Sequence, residues 1–435
     1  MDLSSGSDTG EGGSARAHRA PKIIDPRGPH DALRSAMSVP DGRLEPRTVE
    51  ERTQDMSGDV RTMLERAVAD RVMPGAVALV DRGGAVDRYA VGSWAPGGPP
   101  ADDTAIVRIQ SMTKPITAAA TLRLVQAGRL ALDDPVQRWL PELADRQVLR
   151  GYDADLDDVV PADRSIQVRD LLVCGSGYGM DASGATPYAQ ALRAAGVEAG
   201  PDPVTIDAAD WLGRLAGLPL AHQPGRGFRY HHSFAILGIL LSRVVGMRLQ
   251  EHLAADVFGP LGMVDTGFWV PTEQAHRLPP AYRHGDDDGL VETEPAAGGG
   301  IWVGEPAIDV AHNELVSTLA DVHRFAVMLR DGGRRPDGTP WLSQDSVRAM
   351  TSDQVAPEAK TPESFFPGFW EGTGWGYGVC VRTEPPHEGR FGWSGGQGTD
   401  FFVDPQTGTI AILLSQVELG RPMWELINAF QEAAS

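Results

Sequence analysis

Strand-forming segments stand near both ends of this 435-residue chain, and the long stretch between them carries helical patterns broken by Pro- and Gly-rich loops. That arrangement admits few folds, because an isolated hairpin is unstable and must find further strands or a helix to cover it. Near the N-terminal end Val60, Met63, Leu64, Ala67, Val68 and Val72 recur at helical spacing, with Ser57 as the expected N-cap and Pro74-Gly75 as the stop. Residues 76–80 and 86–91 flank Asp81-Arg82-Gly83-Gly84 and read as a hairpin. At the other end, residues 376–382, 399–403 and 409–415 read as strands, and 422–433 as a closing helix. Between them, helices are expected at 118–130, at 234–245 (apolar nearly all round, hence buried) and at 318–329, where Thr318 and Asp321 resemble a capping box.

The fold class these patterns predict is α+β, bordering on α/β: an antiparallel β-sheet built from both ends of the chain and flanked by helices, with a mostly helical region inserted. The expected division assigns about 58–110 and 331–435 to the sheet part and about 111–330 to the helical part. Residues 1–57 are rich in Ser, Gly, Asp, Arg and Pro without apolar periodicity, and are expected to form a disordered or loosely attached extension.

A formal net charge of −20 argues against nucleic acid as a main partner, since phosphate binding needs a basic face. The absence of any run of about 18 apolar residues excludes a membrane span, and the opening residues lack a signal pattern, so a cytoplasmic location is expected. The only two cysteines, Cys174 and Cys380, rule out a disulfide framework and a thiolate zinc site. His231 and His232 have no helical H-x-x-x-H partner or third ligand, and Asp286-Asp287-Asp288 lacks calcium-loop spacing. No metal and no cofactor are expected.

Only three of the 39 basic residues are lysine (Lys22, Lys114 and Lys360) and the rest are arginine. A lysine kept against that bias points to work arginine cannot do. Lys114 follows Ser111 by three residues, one helical turn away on the same face. A serine hydroxyl needs a neighbouring base to become a nucleophile, and a lysine amine can be that base if burial lowers its pKa. Arginine cannot give up its proton. Two further features accompany this pair. Tyr230 precedes His231-His232 where a loop meets the apolar helix, and a tyrosine there can share a proton with a lysine. Phe391-Gly392-Trp393-Ser394-Gly395-Gly396 precedes a strand, and its glycines let backbone N–H groups approach a ligand closely. The same stretch also matches G-x-S-x-G, but that elbow needs a strand-turn-helix and a histidine later in the chain, and none follows His387.

At these residues the chain resembles the serine β-lactamase and penicillin-binding-protein superfamily, whose motifs run S-x-x-K, then Y-x-N or Y-S-x, then K-T-G, H-x-G or W-x-G. Ser111/Lys114, Tyr230 and Trp393-Ser394-Gly395 stand in that order, and the resemblance extends over about 58–435. Residues 171–177 also look like the family's L-L-x-H-T-S-G segment, with the His-Thr pair replaced. The tryptophan form of the third motif, followed by Val403-Asp404-Pro405, is similar to the class C-like esterases called family VIII. Trp393 stands where a lysine would face a substrate carboxylate, and His232 takes the second motif's asparagine position; both departures favour neutral esters over β-lactams.

The resemblance implies a serine hydrolase acting on small-molecule esters through an acyl-enzyme on Ser111. Lys114 and Tyr230 would relay the proton, and the backbone N–H groups of Ser111 and Gly396 would form the oxyanion hole. Ser394, Gly395 and Trp393 complete the third motif, and His232, Phe369 and Trp370 are candidate substrate contacts. The aromatic run 365–370, with Trp375 and Tyr377, is either a lid or acyl pocket or a buried plug. Alternatives are an acyltransferase using the same acyl-enzyme, a weak β-lactamase or D-peptidase, and a catalytically silent acyl-binding sensor.

Overall fold

A computed structural model describes residues 59–181, 183–286, 289–296 and 300–435. The expected 1–57 extension, the Ser57 cap and Asp287-Asp288 lie outside the described residues. The first described helix, α1 (Val60–Ala69), is capped by Asp59, whose side chain accepts from the Arg61 N–H. Strands β1 (Gly75–Arg82) and β2 (Ala85–Gly92) form the expected hairpin. Helices α2 (Thr113–Gln126) and α3 (His232–Val245) belong to the region that follows. Then α4 (Leu319–Arg330) returns the chain to the sheet, with the Thr318 side chain accepting from the Asp321 N–H at 3.3 Å. Strands β3 (Thr373–Trp375), β4 (Cys380–Arg382), β5 (Phe391–Gly395), β6 (Thr399–Asp404) and β7 (Thr409–Leu414) follow, and α5 (Arg421–Ala433) closes the chain.

The sheet runs β2-β1-β7-β6-β5-β4-β3, antiparallel throughout. The N-terminal hairpin therefore joins the C-terminal strands through β1 and β7, with Val77 opposite Leu414 and Arg82 opposite Thr409. β6 and β7 are buried along their whole length because the sheet is covered on both faces. Alternating side chains separate the two cores. On one face Ala76, Ala78, Val80, Ala411 and Leu413 meet α1 and α5 through Met63, Leu64, Leu426 and Phe430. On the other, Val77, Leu79, Phe401, Ile410 and Ile412 join the large core that contains α2, α3 and α4. His323 and Arg330 of α4 both reach the buried Asp81 carboxylate of β1, at 2.8 and 3.0 Å, which fixes that helix on the sheet.

Two element boundaries differ from the sequence expectation, each for a local reason. The helix expected at 118–130 starts earlier, as a 3-10 turn over Gln110–Met112 leading into α2, and ends before Gly128, which adopts φ 68°. Of the strand expected at 376–382 only Cys380–Arg382 (β4) forms; residues 376–379 are the turn from β3, since the Gly376 N–H bonds back to Val379 O at 2.8 Å and Gly378 turns with φ 76°. A Cβ on Gly378 would stand 2.9 Å from the Lys114 carbonyl oxygen, so this bend packs directly on the start of α2. Among the described residues no single helix is long and apolar enough to cross a membrane.

Candidate active site

The site is assembled where the start of α2 meets the edge of β5. Gln110 takes a left-handed conformation, φ 49°, unusual for a non-glycine residue, and its Nε2 donates to Pro201 O at 3.1 Å. That kink delivers Ser111 into an open cleft that Tyr230, Asn313 and Trp393 also line. Lys114, one turn on, is wholly buried. Its Nζ donates to Ser111 Oγ at 3.0 Å and to His312 O at 2.6 Å, and stands 4.5 Å from the Tyr230 ring centroid. Burial lowers the amine from its usual 10.5 to about 7, against the opposing pull of Cys174 and Glu314. Glu314 is also fully buried, and burial pushes its carboxyl up to about 8, although the His312 and Asn313 N–H groups donate to its Oε2 at 3.1 and 2.8 Å. Burial drives both groups toward their neutral forms.

Tyr230 is held by the loop-to-helix junction before α3. Residue 231 there adopts φ 91°, and the Met180 N–H donates to Tyr230 O at 2.9 Å. Trp393 Nε1 donates to Tyr230 Oη at 2.6 Å, and burial raises the phenol pKa well above its usual range, opposed by hydrogen bonding to Ser111 and Trp393. The third motif forms the end of β5 and the turn to β6, with Gly395 opposite Thr399. A Cβ on Gly395 would lie 2.3 Å from Ile109 O, so only glycine lets this strand pass so close to the segment entering Ser111. Gly396 lines the same cleft as Ser111, and its carbonyl accepts from the Leu419 N–H at 2.8 Å. Ser394 Oγ donates to the buried Asp400 Oδ1 at 2.7 Å, which commits that hydroxyl's proton to Asp400. A strand, not a helix, follows Ser394, so the nucleophile-elbow geometry is absent here.

The structure brings Ser111, Lys114, Tyr230, Trp393, Ser394, Gly395 and Gly396 together and corrects the remaining candidates. His232 does not line the cleft: it is the first residue of α3, turned inward, with Nε2 bonded to Val197 O at 2.7 Å. His231 lines the cleft instead; its backbone takes a positive φ of 91°, and its ring meets that of His232 edge-on at 5.7 Å. Phe369 and Trp370 do not line it either. Phe365 and Phe366 do, while Trp370 stands edge-on to Phe228 and Phe369 lies on the far side of Trp393, in a neighbouring cavity.

Sequence reasoning also missed His312, Asn313 and Glu314. Asn313 Oδ1 accepts the Ser111 hydroxyl at 2.9 Å, and the His312 ring is 4.1 Å from that of His231. One signal was available: three polar residues interrupt the apolar run Val310-Ala311…Leu315-Val316, and polar groups buried in such a run need specific partners.

The fold and the grouping of these residues are those of the β-lactamase-fold serine hydrolase class. Residues 60–432 match the Beta-lactamase family, and the chain belongs to it. It is 37% identical over 341 residues to Protein Rv1367c of Mycobacterium tuberculosis (strain ATCC 25618 / H37Rv), covering 73% of this chain and 79% of that one. It is 31% identical over 384 residues to Esterase EstB of Burkholderia gladioli, covering 81% and 88%. Among solved structures, EstCE1, described as a hydrolase with promiscuous acyltransferase activity, superposes with a TM-score of 0.69 at 24% identity, over 87% of this chain and 99% of that one, a likeness of fold.

Proposed function

We propose that the protein is a serine carboxylesterase that cleaves neutral carboxylic esters through an acyl-enzyme on Ser111. The observation that carries this reading is the 3.0 Å contact between Ser111 Oγ and a fully buried Lys114 amine whose pKa lies at about 7. In acylation Ser111 Oγ attacks the ester carbonyl carbon while its proton passes to the neutral Lys114 amine. The carbonyl oxygen gathers negative charge between the Ser111 and Gly396 backbone N–H groups, and one such donor is typically worth about 3 to 4 kcal/mol. Collapse expels the alkoxide, which takes a proton through Tyr230, and Lys114 returns one to the phenol. Water then repeats the sequence and releases the acid. Lys114 and Tyr230 act as a coupled pair, so the base role belongs to both.

The preference for neutral esters rests on the third motif. Trp393 places an indole in the cleft, Ser394 is bound to Asp400, and Phe365, Phe366, Leu419 and Trp424 add apolar wall. The same walls suit an organic acceptor beside the acyl-enzyme, which favours acyl transfer to an alcohol as the second reading. A short-chain chromogenic ester and a fluorophosphonate probe test the proposal. Turnover is expected, with the probe's mass on Ser111, and both are lost in Ser111→Ala. An adduct on Ser394 or Ser176 would overturn the assignment, and products formed with added alcohol distinguish transfer from hydrolysis.

A further inference from the structure

Asn313 belongs to none of the three motifs, yet it touches both groups that the proposed chemistry needs. Its Oδ1 accepts the Ser111 hydroxyl at 2.9 Å and stands 3.4 Å from Lys114 Nζ, and its Nδ2 donates to Gly200 O at 2.9 Å. The side chain is 6% exposed and lines the cleft. We infer that Asn313 is a positioning residue for the esterase reaction: it holds Ser111 Oγ and Lys114 Nζ at one uncharged acceptor and ties them to the cleft wall at Gly200. The inference rests on the roles proposed above for Ser111 and Lys114.

The backbone leaves this amide little freedom. The Ile109 N–H donates to Leu315 O at 3.0 Å and the Leu315 N–H to Thr113 Oγ1 at 3.1 Å, so the segment carrying Asn313 is clamped to both sides of the nucleophile. Val107 and Arg108 pair with Ser317 and Val316 just beyond. The partners also settle which way the amide faces, because the Gly200 carbonyl can only accept and must therefore meet Nδ2. Oδ1 is then left for Ser111 and Lys114.

An amide suits this place for a reason of charge. A carboxylate here would pair with Lys114 and keep it protonated, which removes the base. An aliphatic side chain would leave the hydroxyl without its resting acceptor. With the amide, the hydroxyl points at Oδ1 at rest, and a rotation about the Cβ–Oγ bond turns its proton toward the amine 3.0 Å away. The second motif contributes no amide of its own, since His232 occupies that position and is bonded to Val197 O. The amide arrives instead from a segment about 80 residues later.

The test compares Asn313→Asp and Asn313→Ala with wild type, reading the rate of fluorophosphonate labelling at Ser111 and the pH profiles of kcat and KM for a short-chain ester. The other groups facing Lys114 (Tyr230, His312 through its carbonyl and its ring, Glu314 and Cys174) are unchanged in both variants. In Asn313→Asp the acid limb should move up by about one pH unit or more, with activity recovering at higher pH. Asn313→Ala should lose roughly tenfold or more in kcat and labelling rate, with the acid limb in place and KM little changed. A carboxylate this close raises the Lys114 pKa whatever the amide does, so the limb shift reads the proximity of position 313 to the lysine, and kcat and labelling rate at unchanged KM in Asn313→Ala read the positioning. If Asn313→Ala fails to fold, Asn313→Leu, which keeps the volume and removes the acceptor, takes its place with the same loss of kcat and labelling expected. An unmoved limb in Asn313→Asp, or wild-type labelling in a folded Asn313→Ala, overturns the inference. If wild-type Ser111 itself is not labelled, the esterase reading fails first.

Discussion

Lys114→Arg keeps a positive charge where the proposed base stands and removes the capacity to shed it. Burial has moved the amine from 10.5 to about 7. Each pKa unit corresponds to about 1.4 kcal/mol, so holding a cation at this place costs on the order of 5 kcal/mol relative to water. The lysine escapes that cost only progressively, by about 1.4 kcal/mol per pH unit between about 7 and 10.5, as it loses its proton; a guanidinium cannot. The acceptors within reach are Ser111 Oγ, His312 O and Asn313 Oδ1, too few for five guanidinium donors. A whole domain is stable by only about 5 to 15 kcal/mol, so Lys114→Arg should lower the melting temperature by at least several degrees. The gap also has a predicted pH dependence. Between about 7 and 10.5 the unfolded wild-type chain binds the lysine proton and the folded one does not, so wild-type stability gains with rising pH from this group. Arginine lacks that gain, and the difference between the two proteins should widen from pH 7 upward. Loss of a general base costs about 10²- to 10⁴-fold in rate. Lys114→Met, which removes the amine without importing a charge, should lose as much turnover with far less change in melting temperature. Hydrolysis of a chromogenic acetate ester at pH 7.5, with thermal melts followed by circular dichroism, measures both. Near-wild-type turnover in Lys114→Arg would refute the proton relay, and an unchanged melting temperature would refute the burial argument.

Two further predictions follow from the same geometry. The kcat/KM for a neutral ester should fall below about pH 7, as Lys114 takes up its proton and ceases to be a base; a flat profile down to about pH 5 would exclude lysine as the titrating group. Trp393→Lys should raise kcat/KM for a carboxylate-bearing ester relative to a neutral ester of similar size, by up to about fivefold if the new charge pair stays wet. The ratio is the proper readout, because Trp393 also donates to Tyr230 Oη and its loss weakens both activities; an unchanged ratio would show that Trp393 does not select against carboxylates.

What was legible in the sequence and what was not follows from the range of the interactions involved. The hairpin, the buried helix and the Ser111/Lys114 pair were legible because each is fixed by neighbours a few residues apart: turn glycines, apolar spacing, one helical turn. The pairing of β1 with β7 joins residues more than 300 positions apart, and the strand patterns alone do not choose it over other orders. The site misreadings have the same origin. His231 and His232 are adjacent and chemically identical, yet only His231, whose backbone takes a positive φ, meets the cleft. Phe365 and Phe369 belong to one aromatic run, and the choice between them depends on how that loop packs around Trp393. Asn313 and Glu314 carry no motif at all. They matter because the clamp at Ile109, Thr113 and Leu315 sets a polar tripeptide against the one buried amine beside the proposed nucleophile. A local code therefore names the proposed reacting groups in this chain, while the acceptor and carboxyl that set the environment of the lysine come from tertiary contacts. Substitutions at 313 and 314 are thus expected to tune the chemistry proposed for Ser111 and Lys114.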